Sequence, residues 1–333
     1  MRDAFLFAVG LTLLMLGADW LVRGAANLAG RLGVSPLVVG LTVVAFGTSA
    51  PELVVTATAS LAGDAGTAIG NVMGSTAANV GLIVGIGALI RPMKVHRRLV
   101  VRETPLVIFV LTIVMVLSLN DALGQLDGLA LVAGWGLYLL FLLRWGSDFD
   151  TDAASVAPAA ANAASEADAR PTEGDPKSEA ESGEPGLLWA IVRIAVGLPS
   201  LMYGAKWLLD AAEAIAFRFE IPEPVIAATM IAIGTSLPEL ASTLAASLRG
   251  MADMAIGNII GSNVFNLGLV LGTAAVLRPL ELPPSLVVQY VLPALAFSVL
   301  LIPLALSGGR INRWEGGLLL TLYIGFVVWL LVP

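Results

Sequence analysis

The sequence has no cysteine, a single histidine and only 13% charged residues. Without cysteine there is no disulfide, no thiolate metal site and no cysteine nucleophile. The lone histidine, His96, lies in a basic loop and reads as a surface residue. The charged share falls well below the roughly 25% of soluble chains. Together with 57% apolar residues and a mean hydropathy of +0.88, that shortage excludes a soluble globular domain. The apolar runs hold no nucleophile–base pair, phosphate loop or cofactor fingerprint, so an enzyme is not expected.

What the chain does have is repetition. Residues 45–52 read Ala-Phe-Gly-Thr-Ser-Ala-Pro-Glu, and residues 232–239 read Ala-Ile-Gly-Thr-Ser-Leu-Pro-Glu. The register holds at a constant offset of 187 through Gly17/Gly204, Trp20/Trp207, Gly70/Gly257, Ser75/Ser262, Asn79/Asn266 and Arg91-Pro92/Arg278-Pro279. Such spacing means two copies of one structural unit. Apolar stretches long enough to cross a bilayer fall near 4–22, 34–61, 66–90, 99–119, 127–143, 187–209, 223–248, 253–277, 284–306 and 315–332. Five spans lie in each copy, and an odd number makes the second copy enter the membrane from the opposite side. The expected fold is an all-α polytopic membrane protein, with ten transmembrane helices arranged as two inverted five-helix repeats. The halves are 1–144 and 187–333, and the repeats proper cover about 34–90 and 221–277. The first span, Ala4 to Val22, lacks a small-residue cleavage site and is expected to stay as a member of the repeat.

The net charge of −7 belongs to the connection between the halves. Residues 147–186 hold ten acids against Arg170 and Lys177, a charge of −8, and the rest of the chain carries +1. The segment 145–186 is rich in Ala, Ser, Pro, Glu and Asp, and reads as a disordered spacer. With an external N-terminus, 14 of the 18 basic residues fall on the inner side. That bias puts both termini outside and the acidic linker in the cytoplasm of a prokaryotic cell membrane.

Each copy also places one acid, Glu52 or Glu239, in the middle of an apolar span. No lysine or arginine occurs between Arg31 and Arg91, and only Arg249 lies between Arg218 and Arg278. A buried, unpaired carboxylate must be protonated or meet a mobile cation. A neutral glutamate bonded to the backbone is the alternative, but duplication at one repeat position favours a cation site. Pro51 and Pro238 each remove a backbone donor and obstruct the carbonyl four residues earlier. This predicts an unwound segment whose carbonyls, from Ala45 to Thr48 and from Ala232 to Thr235, line a cavity. Thr48, Ser49, Thr235 and Ser236 add hydroxyl oxygens, against the alternative that they back-bond to their own helix. Calcium takes six to eight oxygen ligands, and two carboxylates neutralise it. In the following span Ser75 with Asn79, and Ser262 with Asn266, are i,i+4 neighbours that share a face, where helix packing is the competing role. Asp19 and its mate Lys206 lie near span ends and read as interfacial anchors rather than as a pair.

These blocks resemble the two α-repeats of the Ca²⁺:cation antiporter superfamily, in its sodium/calcium exchanger branch of prokaryotic type. The resemblance rests on Gly-Thr-Ser-x-Pro-Glu in duplicate with Gly-Ser-x-x-x-Asn downstream, and covers both halves but not the linker. It implies a ten-helix exchanger with cation positions clustered around two glutamates. Carried over, a central calcium position would use Glu52 and Glu239 with the carbonyls of Thr48 and Thr235. Flanking sodium positions would use Ala45, Ser49 and Ser75, and Ala232, Ser236 and Ser262, and Asn79 and Asn266 would complete the middle. Asn266 stands where several relatives carry Asp, which speaks against potassium co-transport. Proton-coupled members usually have Gly-Asn-x-x-Glu instead, which favours sodium as counter-ion. The expected partners are calcium, sodium or protons, and membrane lipid, with no resident cofactor, nucleic acid or obligatory protein partner. A calcium/proton or other divalent-cation antiporter remains the alternative, and a cation channel fits an inverted repeat less well.

Overall fold

Where the structure describes them, the apolar runs settle into helices, because a backbone in hydrocarbon has to satisfy its amides and carbonyls internally. The computed structural model describes residues 2–95, 97–145, 186–219 and 234–331. In chain order the helices are α1 (Arg2–Leu32), α2 (Pro36–Thr48), α3 (Ala50–Ala62), α4 (Ala65–Ile90), α5 (Val100–Asn120) and α6 (Gln125–Arg144). The second half supplies α7 (Leu187–Arg218), α8 (Leu237–Leu248), α9 (Ala252–Leu277), α10 (Pro284–Leu306) and α11 (Arg313–Leu330). Among the described residues eight helices are individually long and apolar enough to span a membrane, and α2 with α3 forms one further span bent by 47°. The span expected at 223–248 begins outside the described residues and continues as α8. Most of the linker (146–185), His96 and Ala232 also lie outside them.

The inversion is visible in α1 and α7. They run antiparallel with their backbones in contact: a Cβ on Gly10 would lie 2.6 Å from the Leu208 nitrogen, and one on its repeat mate Gly197 would lie 2.8 Å from that of Leu21. Both helices outrun their expected spans, at 31 and 32 residues. That is about 46 Å at 1.5 Å per residue, well beyond a hydrocarbon core of about 30 Å. At the centre lie α4 and α9, the most enclosed of the spanning helices. Four two-residue strands, β1 (Met93–Lys94), β2 (Ala122–Leu123), β3 (Leu280–Glu281) and β4 (Arg310–Ile311), tie the halves together. β1 pairs with β4 and β2 with β3, both antiparallel. β1 corresponds to β3 at the offset of 187 and β2 to β4 one residue further on, at 188, so the same clasp is made twice.

Candidate ion-binding site

The two Pro-Glu turns have nearly the same backbone. Between α2 and α3, Ser49 sits at φ −88° and ψ 9°; before α8, Ser236 sits at φ −87° and ψ 2°. Proline in the next turn has no N–H, so the carbonyls of Gly47 and Gly234 lack the amide a continuous helix would supply. The break is narrower than the unwinding expected over 45–48. Residues 45–48 stay helical, and the Ala45 carbonyl accepts the Ser49 amide at 3.0 Å and faces the Thr48 hydroxyl at 3.4 Å.

This geometry buries Glu52 and Glu239 in the first turns of α3 and α8, at 0% and 1% exposure. Neither oxygen of Glu52 meets a hydrogen-bond donor, and Glu239 Oε2 meets none. Glu239 Oε1 accepts the Ser49 hydroxyl at 2.8 Å from across the repeats. Thr235 and Ser75 approach the Glu52 carboxylate, Thr48 approaches that of Glu239, and the two carboxylates are close enough to repel one another directly. No lysine or arginine pairs with either acid among the described residues. Ser262 Oγ, Asn79 Oδ1 and both polar atoms of the Asn266 amide are likewise buried without a partner. Buried polar groups are almost always hydrogen-bonded, so this concentration of unpartnered atoms is exceptional.

Eleven of the twelve residues singled out in the sequence are described, Ala232 being the exception. Thr48, Ser49, Ser75 and Thr235 gather round the glutamates. Ser236 does not repeat the bond its mate Ser49 makes, since Glu52 accepts none. Asn79 and Asn266 each open a π-helical turn, Asn79–Val84 and Asn266–Val270, a distortion common at functional sites.

Sequence reasoning passed over Asn71, Asn258, Thr56 and Thr243, and read Asn263, opposite Thr76 in the first repeat, as no ligand. Asn71 donates to Thr56 Oγ1 at 2.9 Å, and Asn258 donates to Thr243 Oγ1 at 3.0 Å. Their signal was present, because 71/258 and 56/243 keep the offset of 187. Asn263 holds the Asn79 amide at 2.8 Å; its counterpart Thr76 bonds back to Val72, which leaves Asn266 without an equivalent. Asp19 pairs with Arg23 (2.9 Å) and, across the repeats, with Arg249 (Nε at 2.7 Å), so it is neither a lone anchor nor a partner of Lys206. On the opposite side of the turns a cavity of about 430 Å³ reaches Asn71 and Thr235, with Lys206 and Asp210 of α7 on its wall.

Inverted helical repeats that close around buried acids at mid-bilayer are the architecture of a secondary transporter. The chain belongs to the sodium/calcium exchanger family: it matches the family described as sodium/calcium exchanger protein over residues 3–144 and 189–332, with the acidic linker outside the match. It is 38% identical over 322 residues to the putative antiporter CaxA of Alkalimonas amylolytica, covering 96% of this chain and 95% of that one. It is 32% identical over 336 residues to the sodium/calcium exchanger MaX1 of Methanosarcina acetivorans, covering 96% of each. The structure of the sodium-calcium exchanger NCX_Mj soaked with 2.5 mM Na⁺ and 0.1 mM Ca²⁺ superposes with a TM-score of 0.79, at 30% identity over 98% of both chains. The protein is thus an integral membrane secondary transporter, a cation antiporter and not an enzyme.

Proposed function

We propose that this chain exchanges calcium for sodium by alternating access, with both ions competing for the oxygens around Glu52 and Glu239. One observation carries the reading: the two buried acids and their unpartnered neighbours come from both repeats and have no fixed positive charge. Two carboxylates are balanced by one calcium or by monovalent ions. An occupied site is neutral and can change sides, whereas an empty one keeps bare like charges together in a low dielectric, which opposes the movement. This difference is enough to couple the two fluxes. Thr48, Ser49, Ser75 and Asn79, with Thr235, Ser236, Ser262 and Asn266 and the carbonyls of Ala45 and Ala232, fill out the coordination. Sodium as counter-ion is supported by the name of MaX1 and by the ions in which the similar structure was soaked.

The bias of basic residues supports external termini and a cytoplasmic linker. In that orientation the cavity beside Lys206 and Asp210 faces outward, and the Asp19–Arg249 pair closes the inner side. The test is uptake of radioactive calcium into proteoliposomes. An outward sodium gradient is expected to drive accumulation, and a pH gradient alone is not. Uptake that follows pH and ignores sodium would replace sodium by protons as the coupled ion.

A further inference from the structure

We propose that Asn71 and Asn258 are positioning residues that set the geometry of the ion site from across the two repeats, each orienting the threonine of the other half's Pro-Glu turn. This rests on the site reading above.

The orientation of both amides follows from their neighbours. Asn258 Nδ2 donates to Ser242 Oγ and Thr243 Oγ1, each at 3.0 Å. Ser242 sends its own proton to the backbone carbonyls of Pro238 (2.8 Å) and Glu239 (3.1 Å), so toward Asn258 it can only accept. The NH₂ group therefore faces α8, and Oδ1 is left for the Thr48 hydroxyl at 3.3 Å, which must donate. In the other half Asn71 Nδ2 lies 3.4 Å from the Glu52 carbonyl, a group that can only accept, as well as 2.9 Å from Thr56 Oγ1. Its Oδ1 thus receives the Thr235 hydroxyl at 3.3 Å. Two amides at matched positions, 3% and 1% exposed, are held by independent neighbours in the same sense.

A threonine that gives its proton to an asparagine behind it presents only lone pairs to its remaining neighbours, which is what a cation requires. Without the asparagine, Thr48 has the Ala45 carbonyl of its own helix as an acceptor at 3.4 Å. Its hydroxyl would then turn to that carbonyl or to the Glu239 carboxylate it approaches, and the turn would lose its tie to α9.

The experiment is a double-mutant cycle in proteoliposomes, reading apparent KM for calcium and maximal exchange rate. Thr48→Val and Asn258→Ala are each expected to raise KM about fivefold, Asn258→Ala with turnover kept within about twofold. The double variant should also show about fivefold, because both changes break one contact. Singles that leave KM unchanged, or a double whose effects multiply to about 25-fold, overturn the inference. Should Asn258→Ala not insert, Thr243→Val loosens the same amide without touching a proposed ligand. It is expected to raise KM in the same direction and to add nothing on top of Thr48→Val; additive behaviour would count against the inference. Glu52→Gln runs in parallel. Loss of exchange there, with multiplying effects at 48 and 258, removes this inference and leaves the site reading intact; retained exchange removes the site reading itself.

Discussion

Glu52 and Glu239 carry the same chemistry in slightly different surroundings, since Ser49 donates to Glu239 and Glu52 accepts from no group. With both ionised and no cation between them, the pair destabilises the protein. Glu52→Gln and Glu239→Gln are therefore expected to match or exceed the wild-type melting temperature without calcium and to lose the stabilisation that calcium gives the wild type. Each should lower calcium flux by about a hundredfold or more, the scale of one lost charge interaction in a partly screened interior. Thermal melts with and without calcium, beside flux in proteoliposomes, check both halves of this expectation. The acids are legible in the sequence because a charge stands out within an apolar run. Asn71 and Asn258 are not, because an amide among small residues reads as helix packing. Their partners across the repeats are 164 and 210 residues away, a proximity that no local spacing reveals.

Among the elements, the bends at Ser49 and Ser236 follow from Pro51 and Pro238 and are readable without a structure. The π-helical turns at Asn79 and Asn266 are not, because the lone glycine in Asn-Val-Gly and Asn-Leu-Gly is tolerated in ordinary helix and does not mark a π turn. The ends of α1 and α7 escape a hydropathy reading because they extend beyond the bilayer core, where polar residues suit them. The start of α4 is capped by Asp64, which accepts the Thr67 amide at 2.9 Å and its hydroxyl at 2.6 Å. Those bonds hold the Asp64 carboxyl below the usual carboxylate range. A lowered value in the folded state stabilises the protein above the unfolded value, about pH 4, and the contribution is lost as pH falls through the folded one. Asp64→Ala is expected to cost about 1 kcal/mol at neutral pH. Denaturant melts at neutral and acidic pH should show the difference from wild type shrinking below about pH 4.

For the whole molecule, an odd number of spans per copy makes inversion readable from the sequence, and the doubled β clasp agrees with it. The pseudo-symmetry is broken again at the Asp19 ion pair. Arg249 corresponds to Ala62, so the ion pair to Asp19 has no counterpart on the side of the cavity. Sequence spacing hides this latch, whose two members are 230 residues apart. A part-buried pair of about 1 kcal/mol biases a two-state equilibrium about fivefold. Asp19→Asn is expected to shift the protein away from the state in which the cavity beside Lys206 is open. A cysteine at Met202, in a chain otherwise free of cysteine, should then react more slowly with a membrane-impermeant thiol reagent. The central claim concerns the two acids, and equilibrium binding of radioactive calcium to the purified protein tests it most directly. Wild type is expected to bind calcium and to release it as sodium is raised, and the doubly substituted Glu52→Gln, Glu239→Gln protein is expected to bind none. A folded double variant that binds calcium with wild-type affinity would contradict the account.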